Sequence, residues 1–184
     1  FNYDLAHPGR NKSHGWFFFT SYNTEEANTL MEVNASQNDK DYIAAVNWKK
    51  VVEYVKNGGG KKVAGTYAHN VYDEKTHTAT STMKEGVISV NPSEVEGAVY
   101  YIPIPKSPHG CDVDPSGEYI IGSGKLSTDL SVYSFEKMLT AIENKDFVDD
   151  AYGIPVLSYE NTIAGVVKQP GLGPLHTEFD GQGN

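Results

Sequence analysis

Apolar residues in this chain come in short runs, each closed by turn formers. Trp16 to Tyr22 is aromatic and β-prone and predicts a strand, and Tyr42 to Asn47 predicts a second. Trp48 to Asn57 follows at once with Val51, Val52 and Val55 at helical spacing, and Gly58-Gly59-Gly60 ends that helix. Gly86 to Val90 and Val99 to Ile104 read as short strands, the second stopped by Pro103, Pro105 and Pro108. His109 to Val113 and Glu118 to Gly122 read as strands joined by the turn Asp114-Pro115-Ser116-Gly117. Leu130 to Phe135 predicts a further strand. Phe135 to Asn144 predicts a short helix with Met138, Leu139 and Ile142 on one face. Phe1 to Ser13 reads as polar and turn-rich, Thr24 to Lys40 as a long polar connection, and Thr-rich Lys62 to Lys84 as loop or edge strand. Short strands joined by turns predict an all-β fold with the helices as short connections. A parallel α/β sheet would need a helix between most strands.

The pattern echoes itself. Pro108-His109 leads to Asp114-Pro-Ser-Gly117, and Leu175-His176 leads to Asp180-Gly-Gln-Gly183, the two histidines 67 residues apart. Tyr42 to Asn57 and Leu130 to Lys145 share the order strand, aromatic residue (Trp48, Phe135), amphipathic helix. Such repetition suits a β-propeller, whose blades are small antiparallel sheets around an axis. A propeller closes at about four to eight blades, and 184 residues supply two to three. The second His-to-turn copy stops at Asn184, where its returning strand would begin, and the chain opens at Phe1 rather than Met. The expectation is therefore that residues 1–184 form part of a larger propeller domain.

Charge and composition remove some classes. Fifteen basic against 24 acidic residues give a net charge of −9, which argues against nonspecific nucleic-acid binding. Hydrophobic residues at 39% and charged residues at 21% are a globular composition, and no apolar run approaches the length of a membrane span. One cysteine, Cys111, excludes an internal disulfide and a zinc site built from CxxC pairs.

Of the six histidines, His7, His14, His69 and His77 read as solvated loop residues. His109 and His176 differ: each follows a proline-containing approach and reads as opening a strand before a tight turn. Equivalent positions on successive blades point toward one axis, so the two imidazoles would converge as metal ligands do, or serve structurally at the start of each blade. Cys111, two residues after His109, shares its strand face in a regular strand; it reads as a copper partner or as a small core residue. A run of oxygen donors (Tyr22, Glu25, Glu26, Glu32, Asn38, Asp39 and Asp41) reads as a solvated acidic loop or a hard-cation site, without EF-hand spacing. GxGxxG, P-loop, HExxH and GxSxG motifs are absent. The residues alone leave three classes open: a metalloenzyme, a metal-free binding propeller, and a calcium-dependent propeller hydrolase.

Four stretches resemble the nitrous oxide reductase family in order: Ser21-Tyr22-Asn23-Thr24-Glu25, Pro103 to Gly110, Gly124-Lys125-Leu126-Ser127, and Gly171 to Gly181 with its Pro174-Leu175-His176 and Asp180-Gly181. The resemblance implies a seven-bladed propeller holding a four-copper sulfide cluster on seven histidines. It also implies a separate cupredoxin domain with a two-copper site, absent from this chain, and a head-to-tail homodimer in the bacterial periplasm. The implied reaction is two-electron reduction of nitrous oxide to dinitrogen and water, the last step of denitrification, with a c-type cytochrome or cupredoxin as electron donor. By matching motifs, His109 and His176 would be two of the cluster ligands, with the other five outside this chain. Lys125, one strand after His109, reads as an exposed lysine. The resemblance further implies structural calcium held by Tyr22, Glu25, Asp39 and a backbone carbonyl near Val33. A fourth side chain would come from Ser107, where the family often has Asn.

Overall fold

The structure, a computed structural model, describes residues 2–22, 41–180 and 182–183. Twelve strands are seen among them: β1 (Asn2–Pro8), β2 (Trp16–Tyr22), β3 (Tyr42–Asn47), β4 (Lys61–Asp73), β5 (Thr78–Ser89), β6 (Val99–Pro103), β7 (Pro108–Val113), β8 (Tyr119–Gly124), β9 (Leu130–Ser134), β10 (Phe147–Ala151), β11 (Ile154–Leu157) and β12 (Ile163–Val167). Three short α-helices join them: α1 (Trp48–Lys56), α2 (Phe135–Glu143) and α3 (Tyr159–Thr162). Each helix starts where a side chain just before it caps a free backbone N–H. Asn47 accepts from the Lys50 N–H, Ser134 from Lys137 and Ser158 from Asn161. The fold is mainly β, as the alternating pattern predicts. No closed sheet is formed among the described residues.

The strands make a six-stranded sheet in the order β1-β2-β3-β6-β11-β10, a four-stranded sheet β12-β9-β8-β7, and the separate hairpin β4-β5. One unit occurs twice. β1, β2, β3 and β6 run antiparallel in chain order, and so do β7, β8, β9 and β12. In both units a helix follows the third strand directly, α1 after β3 and α2 after β9. In both, an insertion precedes the fourth strand. The first insertion is the β4-β5 hairpin. The second, β10-β11, joins the outer edge of the first unit through a parallel pairing of β11 with β6, with Val156 opposite Tyr101. The strand–aromatic–helix echo in the sequence is this shared third strand and helix.

Alternation decides what each face buries. Phe18, Ile43, Ala45, Tyr100 and Ile102 from the first sheet meet Cys111, Val113, Ile120 and Tyr133 from the second, with Phe135, Met138 and Ala141 of α2 closing the layer. The Phe18 and Phe135 rings meet edge-on at 6.4 Å. The opposite face of the first sheet, with Tyr42, Ala44, Val99, Tyr101 and Val156, packs with Val51 and Tyr54 of α1. Leu139 and Val52, expected on the buried helix faces, are exposed; Ala141 takes the inward place beside Met138 and Phe135.

Three local expectations are corrected. The turn-rich start contains β1, because Asn2–Pro8 gains a ladder from β2 that its polar composition does not advertise. Of the two readings of Lys62 to Lys84, edge strand holds and loop does not: it lies within a long two-stranded antiparallel hairpin with residues 74–77 at its tip, and the strand expected from Gly86 is the end of β5. Lys125 is half-buried rather than exposed, because its N–H donates to the Ser107 carbonyl at 2.8 Å and holds the residue against the β7 approach.

Phe18 has no exposed surface and belongs to the layer that joins the two sheets. Phe18→Ala is expected to lower stability by about 3–5 kcal/mol through lost burial and a residual cavity. Val167→Ala on the exposed edge strand should change it by less than about 0.5 kcal/mol. Urea unfolding followed by tryptophan fluorescence measures both.

Candidate functional site

The terminal strands of the two sheets, β1 and β7, lie side by side. The Thr20 hydroxyl donates to the His109 carbonyl at 2.7 Å, and the Val113 N–H donates to Nδ1 of His7 at 2.7 Å. Against this seam lies the irregular stretch 168–180, which carries His176. The rings of His109 and His176 meet with centroids 5.0 Å apart at 63°. Two motif segments far apart in sequence thus bring their imidazoles into contact. The expected strand at His176 is not formed; the residue sits in an extended, unpaired segment.

Gly110 makes this approach possible. A side chain there would collide with the Leu175 carbonyl and stand 3.1 Å from Nδ1 of His176. The bulge in β7 is equally important. The β7-β8 register shifts between Pro108 and Cys111, so residues two apart no longer share a face. Cys111 and Val113 point into the core, while the His109 ring meets His176. The shared face expected for His109 and Cys111 is therefore corrected. Cys111 is a buried core residue, its thiol donating to the Phe18 carbonyl at 3.2 Å.

The seam carries groups that the sequence reading passed over. His7, read as a loop residue, stands on β1 and lines a polar pocket of about 300 Å³ with Arg10, Asp112, His176, Thr177 and Glu178. Asp112 accepts the Thr177 N–H on Oδ2 at 2.7 Å, and its Oδ1 lies 3.4 Å from Nδ1 of His176 and 3.8 Å from Nδ1 of His7. Burial, then the Arg10 guanidinium 2.7 Å from its Nε2, pushes the His7 pKa below its ordinary value. The nearby carboxylates only partly oppose this. One signal for Asp112 was available, its place three residues after His109, but a regular strand would have put it on the other face.

Of the expected calcium set, Glu25, Val33 and Asp39 lie outside the described residues, as does the Tyr22 side chain. Ser107 is buried and left-handed at φ 55°, and its N–H donates to Oδ2 of the buried Asp41 at 2.9 Å. A left-handed backbone at a non-glycine residue costs energy that its surroundings must hold in place. Asp41 and the Lys125 N–H grip Ser107 on both sides of its peptide. The His109 approach is therefore rigidly set.

The donor chemistry fits copper, for which imidazole is a good ligand. Two imidazoles meet, and a carboxylate stands behind one of them. Among the described residues no group of three or more His, Cys, Asp or Glu side chains is arranged to hold a metal ion.

Mainly antiparallel sheets in repeated units, with two histidine rings in contact at the seam between two of them, define the class: a repeat β protein. In sequence the chain is similar to nitrous-oxide reductase from Stutzerimonas stutzeri, 32% identical over 167 residues that cover 90% of this chain and 22% of that protein. It is similar to nitrous-oxide reductase from Pseudomonas fluorescens, 29% identical over 165 residues, 90% of this chain and 21% of that protein. The resemblance carried by the motifs therefore extends along nine tenths of the chain, and the chain spans about a fifth of the length of these curated relatives. No protein-family model matches it. In structure it is similar to hydrazine synthase from Kuenenia stuttgartiensis, with a TM-score of 0.50 at 13% identity, covering 99% of this chain and 40% of that one; this is a likeness of fold alone. No helix among the described residues is long and apolar enough to cross a membrane.

Two outcomes follow. Gly110→Ala should push the 174–177 segment off β7 and separate the two rings while the core stays folded. Unchanged ring-to-ring nuclear Overhauser contacts between His109 and His176 would contradict this. His7 should stay neutral to lower pH than a free imidazole, whose pKa is 6.5. The unfolded chain then takes up a proton that the folded ring refuses. Stability is full above pH 6.5 and falls as pH drops below it. Denaturant unfolding of wild type and His7→Asn between pH 7 and 5 should show the smaller slope in the variant.

Proposed function

We propose that this chain is part of the copper-cluster domain of a nitrous oxide reductase, with His109 and His176 as two of its copper ligands. The observation that carries the reading is the contact of these two imidazoles, each delivered by a family-like motif, at a seam between repeated antiparallel units. The two units are then blades of a propeller, with β1 and β7 as their innermost strands. The remaining ligands and the electron-receiving cupredoxin domain belong to the rest of the protein, which works as a homodimer in the periplasm. A c-type cytochrome or a cupredoxin supplies the electrons.

Nitrous oxide is inert and a poor ligand, and its conversion to dinitrogen and water takes two electrons and two protons. A bound multi-copper sulfide cluster supplies those electrons to one substrate molecule. The residues of this chain do the rest of the local work. Gly110 lets the two ligand segments meet, the strained Ser107 sets the His109 approach, and the phenylalanine layer beneath β7 keeps water from the core side. Tyr22, Glu25, Asp39, Ser107 and the Val33 carbonyl would hold calcium. Ser107 lies two residues before His109, so such an ion would also stiffen the approach to the ligand-bearing strand.

In the complete protein, His109→Ala should leave the fold intact, cut cluster copper sharply and abolish nitrous oxide reduction with reduced viologen as donor. Metal analysis and the assay measure this. Full copper loading with normal turnover would refute the assignment.

A further inference from the structure

Asp112 stands behind the ligand pair without belonging to it. On a regular strand residues three apart face opposite ways. The bulge between Pro108 and Cys111 cancels that alternation, so both the His109 ring and the Asp112 carboxylate meet His176. The carboxylate is largely buried, with its side chain 14% exposed. Its Oδ2 takes the Thr177 N–H at 2.7 Å, which fixes it to the segment that carries His176. Its Oδ1 faces Nδ1 of His176 at 3.4 Å. The nitrogen of His7 nearest to Oδ1 is already occupied, since Nδ1 of that ring accepts the Val113 N–H. His176 is therefore the imidazole placed to donate to Oδ1.

We propose that Asp112 is a positioning residue for the metal centre: it holds the proton of His176 on Nδ1 and so leaves Nε2 of that ring as the bare donor for copper. A carboxylate only accepts, so the ring nitrogen facing it must carry the hydrogen. A neutral imidazole has one hydrogen, and its other nitrogen then has a free lone pair. Carboxylate–histidine–metal arrangements work in this way, and losing the carboxylate typically costs 10–100-fold in metal affinity. The inference rests on His176 being a copper ligand, and its test is built to separate the two claims.

The test uses the complete copper-bearing protein with Asp112→Ala, Asp112→Glu and, as reference, His109→Ala. Copper release to a chelator and the visible and electron paramagnetic resonance spectra of the bound copper are followed. Asp112→Ala is expected to fold, to release cluster copper about 10–100-fold faster and to show an altered copper spectrum. Asp112→Glu, which restores an acceptor, should recover part of both. If Asp112→Ala does not fold, Asp112→Asn decides with the same readouts. The Thr177 N–H and the His176 ring face different oxygens of Asp112, so in Asn one of them meets the amide NH2, a donor, instead of an acceptor. Wild-type release and spectrum in the variant that folds, while His109→Ala loses copper, would overturn the positioning role and leave the ligand assignment standing. Full copper retention in His109→Ala would overturn the ligand assignment itself, and the inference with it.

Discussion

A methyl group that is missing at Gly110 decides whether the site exists. Without it, the Leu175 carbonyl and the His176 ring settle directly on strand β7. With any side chain there, the segments that carry His109 and His176 would be forced apart. The rest of the site is arranged around this close approach. The bulge turns His109 and Asp112 toward the incoming segment, and the left-handed Ser107 fixes how β7 begins. Thr20 ties the His109 carbonyl to the neighbouring sheet. Together they determine where two imidazoles can be.

The repeated unit explains why the seam lies where it does. Two four-stranded meanders pack through one continuous apolar layer, and their first strands become neighbours at its rim. A strand at the end of its sheet has backbone groups that its own sheet cannot satisfy. Here side chains of the neighbouring unit meet that need, His7 taking the Val113 N–H and Thr20 reaching the His109 carbonyl. Polar side chains are thus required at the seam for structural reasons, and the same requirement concentrates His7, Asp112 and His176 in one pocket. The β10-β11 insertion strengthens the join, because it leaves the second unit and pairs with the outer strand of the first.

Chemically, the pocket at the seam is polar and its groups are engaged. Burial and Arg10 hold the His7 pKa below its ordinary value, and Asp112 takes the Thr177 N–H. In sequence the chain is similar to nitrous-oxide reductases along nine tenths of its length and spans about a fifth of theirs.

Much of this was legible in the residues. The runs at Tyr42 and Val99 are nearly unbroken because both faces of the first sheet are covered, and a short apolar run closed by turn formers reports such a strand. The Asn47 and Ser134 caps and the Asp-Pro-Ser-Gly turn are local chemistry, readable within a few residues. The likeness of the His109 and His176 motifs was visible in the residues, although only His109 stands on a strand. β1 and the β4-β5 hairpin were less visible, since their strand character comes from pairing with a partner rather than from an apolar face. The places of His7 and Asp112 at the seam were not read, whereas the reading of Cys111 as a small core residue matches its burial. A bulge shifts the side-chain alternation by one residue without marking the sequence, and the contact between residues 110 and 175 depends on how two distant segments cross. The chain by itself determined which residues could serve the site; only the tertiary structure decided which of them face it, because that choice turns on one register shift and one absent side chain.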